Sequence, residues 1–146
     1  MTKVKKGFMV FIAVVLSICS FSMTAYADDN TGIMPLYDYT SVASSGLAIN
    51  NSKATASVYC SGYSGTTKKI TAKTCIQRKL GLIWIKMDIG TSDDYWHDTA
   101  NNYYLITSHS KTLTSHGTYR AKTEYTVTAS NGDTEEITVT SQEVDF

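Results

Sequence analysis

From Gly46 onward, apolar and polar side chains alternate along most of the chain, and a period of two marks strand. A short strand, Gly46 to Ile49, meets a turn at Asn50-Asn51-Ser52. The return strand carries Ala54, Ala56, Val58 and Cys60 on one face and Thr55, Ser57, Tyr59 and Ser61 on the other. Gly62-Tyr63-Ser64-Gly65-Thr66 is a loop by its glycines. In Lys69 to Lys79, Ile70, Ala72, Thr74 and Ile76 share a face. Gly81 then makes a bend before a mostly apolar strand, Leu82 to Ile89, around Trp84. Residues 90–102 are expected to be a polar loop, and Tyr103 to Thr114 a strand of weaker pattern.

The last two strands are the clearest. Tyr119, Ala121, Thr123, Tyr125, Val127 and Ala129 alternate with polar or charged residues. Asn131-Gly132-Asp133 is a hairpin turn, since Asn-Gly tolerates the positive φ such turns need. Glu136 to Val144 then carries Ile137 and Val139 inward. No segment repeats apolar residues at helical spacing over three turns, so almost no helix is expected beyond the N-terminus. The expected core is Val58, Ile70, Ile76, Trp84, Tyr119, Tyr125, Val127, Ile137 and Val139.

The N-terminus follows another rule. Lys3, Lys5 and Lys6 precede an uncharged apolar run, Phe8 to Met23, and Thr24-Ala25-Tyr26-Ala27 follows before Asp28. These are the three parts of a cleaved secretory signal, with small Ala25 and Ala27 placed for cleavage between Ala27 and Asp28. The run is shorter than the ~20 residues a spanning helix needs. Cys19 offers a lipoprotein alternative, but Ile18 stands where that processing wants a small residue. The expected organisation is a signal peptide over 1–27, a flexible leader over 28–45 and a β-sandwich domain over 46–146. The product is expected to be secreted, either extracellular or loosely held at the cell surface, with no membrane association after signal cleavage.

Composition agrees with that placement. Residues 28–146 hold ten basic and thirteen acidic side chains, a net charge of −3, so no basic footprint for nucleic acid is expected. They also hold 19 Thr, 13 Ser and 9 Tyr, a composition suited to half-buried pleated surfaces.

The candidate chemistry thins out under geometry. Cys60 and Cys75 form an even pair in an exported domain, which invites a disulfide. Strand parity opposes it, because Cys75 lies opposite Ile70, Ala72 and Ile76 while Cys60 sides with its apolar neighbours. The bond stays open at this point. His97, His109 and His116 match no zinc spacing. Gly62-Tyr63-Ser64-Gly65 lacks the second glycine of a nucleophile elbow, where Thr66 stands instead. Asp93-Asp94 and Glu135-Glu136 are adjacent pairs that point apart in extended chain. No cofactor or metal is expected, and no enzymatic activity. Tyr95, Trp96, Tyr103 and Tyr104 cluster around the 90–102 segment, where exposed rings would stack on sugars or anchor protein contacts; alternatively they close one end of the core.

Leu113, Gly117 and Tyr119, followed by an alternating strand, resemble the leucine-to-tyrosine spacing before strand F of fibronectin type III and immunoglobulin-like domains. The resemblance implies that the tyrosine hydroxyl ties a corner to upstream backbone. More broadly, the signal, the stretch GYSGTTKKITAKTCIQRK with its following Trp84, and the ending HGTYRAKTEYTV with NGDTEE are similar to small secreted β-sandwich proteins of Gram-positive bacteria whose function is unknown. The fold class implied is all-β: one immunoglobulin-like or fibronectin type III-like antiparallel sandwich of about seven strands, preceded by a signal-peptide helix. The expected function is a non-enzymatic extracellular binding or surface-associated module, with cell-wall glycan or another extracellular protein as partner. The alternative is a secreted effector or antibacterial protein.

Overall fold

The computed structural model describes residues 37–146. The expected signal-peptide helix, the cleavage site Ala27/Asp28 and leader residues 28–36 lie outside the described residues. Every element described is a strand: β1 (Thr40–Asn50), β2 (Lys53–Gly62), β3 (Thr67–Leu80), β4 (Ile83–Lys86), β5 (Trp96–Ala100), β6 (Tyr104–Thr112), β7 (Thr118–Ala129), β8 (Thr134–Thr140) and β9 (Val144–Asp145). That makes nine where about seven were expected, because two short edge pieces, β5 and β9, arise in segments of weak pattern.

The strands form two antiparallel sheets. The first has the order β1-β2-β6 and the second β4-β3-β7-β8, with β5 beside β3 and β9 beside β7. β4 and β5 share one edge of β3: β5 pairs with Ile70–Thr74 and β4 with Gln77–Leu80. β7 is the best-patterned strand. It buries every second residue along its whole length, because β3 and β8 flank it while the first sheet covers its inner face.

Three expectations about local structure change. The leader was expected to run to residue 45, yet β1 begins at Thr40 and pairs continuously with β2 from Val42 to Asn50. Ser41, Ala43, Ser44 and Ser45 are too small to print a hydrophobic period, and pairing needs only their backbone groups. The expected loop 90–102 contains β5. The expected strand Leu82–Ile89 shrinks to the four residues of β4, and its Trp84 is no core residue: it lies half-buried on the outer face, paired with Lys79.

Inward-facing residues of the two sheets form two apolar clusters. One joins Val58, Cys60, Ile70, Ala72, Leu105, Tyr125, Val127 and Ile137, with Val139 half-buried against it. The other joins Ala54, Ile76, Leu113 and Tyr119, closed by half-buried Leu47, Ile49, Met87, Trp96 and Phe146. Between them runs a short polar rung. Thr74 and Thr123 are fully buried, 3.0 Å apart, and Thr123 also meets the Ser45 hydroxyl at 2.9 Å across the sheets. Each hydroxyl therefore has a partner, which buried polar groups require.

Two buried tyrosines tie the layers. The Tyr125 hydroxyl, on the second sheet, donates to a backbone carbonyl of the first, contacting both Ser44 O and Tyr59 O. Tyr119, at the start of β7, donates to the carbonyl of Ser115 four residues upstream, the corner bond expected from its spacing. Each such bond contributes about 0.5–1.5 kcal/mol beyond the burial of the ring.

Candidate functional site

Four exposed large apolar side chains, including the most exposed of all, sit together at the tip of one hairpin; Ile106, 69% exposed, stands apart from them on β6 of the first sheet. β3 and β4 join through a two-residue loop, Gly81-Leu82, with Leu80 opposite Ile83. Gly81 has φ +60°, the positive value such a loop takes at its first central residue, where glycine fits without strain. Leu82, at the apex, is 98% exposed and Ile83 62%; Leu80 and Ile85 are also exposed. Leu80, Ile83 and Ile85 continue the inner face of the second sheet, the side that carries Ile70 and Ile76, but no strand of the first sheet covers them. The hairpin thus overhangs the sandwich. Turn apices favour Gly, Asn, Asp and Ser, so two branched apolar residues following a turn glycine are anomalous.

The opposite side of this hairpin is cationic and aromatic. Trp84 is flanked by the Arg120 guanidinium, 4.2 Å from the ring centre, and by the Lys79 ammonium at 5.5 Å. Tyr95 is flanked in the same manner by Lys86 at 4.2 Å and Lys73 at 4.9 Å. Arg120 Nε donates to Gln77 Oε1 at 2.8 Å, Lys79 pairs with Glu143 at 3.1 Å, and Lys122 pairs with Glu124 at 2.7 Å. Hydrogen bonding to Glu124 raises the Lys122 pKa, so this ammonium keeps its charge at any physiological pH. The face is a row of fixed cations separated by rings they already cover.

The four aromatics singled out from the sequence do not form one patch. Tyr95 lies on the outer face of the second sheet, over Cys75. Trp96, its neighbour, turns inward because alternation in β5 reverses direction at each residue. There it packs against the second core cluster and stacks on His109, with ring centres 5.0 Å apart. Tyr103 and Tyr104 are exposed, edge-to-face with each other at 5.5 Å, at the end of β2 where the Gly62 N–H donates to the Tyr103 carbonyl. That end is the one opposite the hairpin tip. The 90–102 aromatics therefore divide between core closure and two separate surfaces.

Cys60 and Cys75 are free thiols, both buried. Cys60 points into the first core cluster, whereas Cys75 opposes Lys122 on the outer face of β3 beneath Tyr95. No bulge interrupts the β3–β7 register around Cys75, so strand parity holds and the two sulfurs lie on different faces. Burial pushes the Cys60 thiol up to about 12 and raises that of Cys75, which leaves both as neutral packing groups.

The histidines fall into three separate settings. His109 Nε2 lies 2.8 Å from an Asp98 carboxylate oxygen, joining β6 of the first sheet to β5 of the second. His97 lies 2.8 Å from Asp93, and its hydrogen bond lowers the Asp93 pKa. His116 stacks on Phe146 at 4.7 Å. The acidic pair Glu135-Glu136 divides as its adjacency implied: Glu135 accepts from Asp38 N and Thr40 Oγ1, and Glu136 from Thr126 Oγ1. A shallow cleft of about 250 Å³ lies between Tyr39, Gly65, Thr66 and the β7–β8 turn, bounded largely by turn backbone.

The hairpin tip was not among the residues singled out from the sequence. The signal that would have found it is Leu80-Gly81-Leu82-Ile83, a turn glycine embedded in large apolar residues with no Asn, Asp or Ser beside it. Comparisons with protein-family models, with curated proteins and with solved structures find no match.

Proposed function

We propose that this protein is a secreted, non-enzymatic β-sandwich module of the immunoglobulin and fibronectin type III kind, which acts by surface contact through the β3–β4 hairpin. The strand partition supports the fold type. β1, β2 and β6 against β3, β7 and β8 correspond to strands A, B and E against C, F and G, and Tyr119 takes the corner-tyrosine role at the start of F. The observation that carries the contact reading is the exposed apex, with Leu80, Leu82, Ile83 and Ile85 uncovered within six residues. Such a patch costs solubility and adds nothing to the core, so it is retained for a contact. The buried, neutral thiols and the dispersed histidines and carboxylates support contact rather than catalysis.

Export follows from the N-terminal pattern, and a mass spectrum of the protein from culture medium, starting at Asp28, is the expected result. The contact reading is tested on whole bacterial envelope material containing both wall and membrane. Residues 28–146 should be retained, and the double variant Leu82→Asp, Ile83→Asp should wash off while melting at the same temperature. Equal retention of both proteins would refute the hairpin as the contact.

A further inference from the structure

We infer that the β3–β4 hairpin is a membrane-docking tip whose partner is the surface of an anionic phospholipid bilayer; this rests on the contact reading above and names its partner. Three features of the molecule point to lipid rather than to a groove-forming protein.

The first is shape. The apolar surface is convex and narrow: a two-residue apex with Leu82 almost fully exposed and Ile83 beside it. A protruding apex buries itself by entering another phase, whereas flat patches mate with flat partners.

The second is layering. Beneath the apolar apex comes Trp84, level with its cross-strand partner Lys79 and with Arg120 over its ring, and then Lys86 two residues further along β4, over Tyr95. Apolar residues at the depth of the acyl boundary, an indole at the interface and long basic side chains reaching the headgroups are the order in which interfacial anchors are built. The two cations over Trp84 are held on the ring, so the collar is assembled before contact.

The third is charge. The net charge of −3 for residues 28–146 argues against anionic lipid, but the fold segregates it. The level of Thr74 and Thr123 divides the domain in two. Among the described residues, the half with the tip holds seven lysines and arginines against five carboxylates, and the other half holds three against six. The acids nearest the tip are partly engaged, Glu143 by Lys79 and Asp145 by the Thr118 hydroxyl. The molecule is an electric dipole whose positive end bears the apolar apex. An anionic surface orients it tip-first, each basic residue adding attraction within a Debye length.

The test is co-sedimentation of residues 28–146, which contain every described strand and both core clusters, with vesicles of phosphatidylcholine alone or mixed with phosphatidylglycerol. Binding is expected on both and roughly tenfold tighter on the anionic vesicles, the effect of a small cation excess at a charged surface. Leu82→Asp with Ile83→Asp should weaken binding about a hundredfold or more on either composition, the loss of two inserted side chains. Brominated lipid should quench tryptophan emission in the parent protein, and Trp84→Phe should remove that quenching while vesicles are still bound. No binding to either vesicle overturns the lipid assignment, as does binding unaffected by the two aspartates. If vesicles fail while tip-dependent retention on envelope material persists, only the lipid partner falls; if both fail, the contact reading falls with it. A parent protein that is dimeric by light scattering, and made monomeric by the aspartates without vesicle binding, would instead assign the tip to a second copy of this chain.

Discussion

β3 lives in two environments, and the contrast between its ends teaches most about this molecule. From Ile70 to Ile76 its inward side chains are wholly buried, facing Val58 and Ala54 of the first sheet and packed beside Tyr119 of the neighbouring β7. Past Arg78 the same strand and its partner β4 present Leu80, Ile83 and Ile85 on the same side, and these meet solvent. The two stretches are equally apolar. What separates them is whether a facing layer reaches that far: Leu113, Met87 and Phe146 close the sandwich at the level of Ile76, and the hairpin continues beyond it. A hydrophobic residue is a core residue only where a second sheet removes it from water.

Substitutions at the two ends should therefore differ widely in cost. Tyr125→Ala, at the centre of the sandwich, should lose about 3–5 kcal/mol, since a fully buried ring and a tie between the sheets go together; urea unfolding measures it. A pH series sharpens the same point. Below pH 9 the Cys60 thiol is neutral whether folded or unfolded, so stability has its full value there. Between pH 9 and about 12 the unfolded thiol ionises while the folded one does not, and stability falls. Burial pushes Cys75 and Tyr125 in the same direction, and Cys60→Ala should flatten part of the alkaline drop in the urea midpoint.

Smaller effects belong to the boundary. Trp84→Ala should cost about 1–2 kcal/mol, the worth of two partly exposed cation–ring contacts, against the 3–5 kcal/mol of a core tryptophan. A loss in the core range would place Trp84 inside after all. Tyr119→Phe should cost about 1 kcal/mol for its single bond to Ser115. Leu82→Asp should shift the thermal midpoint by no more than the equivalent of about 0.5 kcal/mol, because the apex touches nothing in the fold. Appreciable destabilisation there would end the comparison, since it would make the tip part of the core.

Much of this architecture was legible in the residues. The alternation of Tyr119 to Ala129 announced β7 and its buried face, and Asn131-Gly132 announced the hairpin behind it, where Gly132 has φ +94°. Eight of the nine expected core residues pack in the two clusters or against them, Val139 only half-buried. Parity along β2 and β3 opposed a Cys60–Cys75 bond but left it open, and the uninterrupted register around Cys75 placed the two sulfurs on different faces. The short edges were not legible: β1 begins among serines and alanines, and β5 lies in a segment that reads as loop, because edge pairing is satisfied by backbone groups common to every residue.

The site was less legible than the fold, for a related reason. Sequence determines which residues can share a face, since side chains alternate strictly along extended backbone. It therefore settled strand type and the buried faces of β2, β3 and β7. It does not determine how far one sheet extends over the other. That is set by the lengths and register of strands distant in the chain, and only the tertiary structure decided it. Hence Trp96 turned inward as edge closure, Trp84 outward beneath two cations, and Leu82 and Ile83 were left beyond the last residue that any facing strand covers.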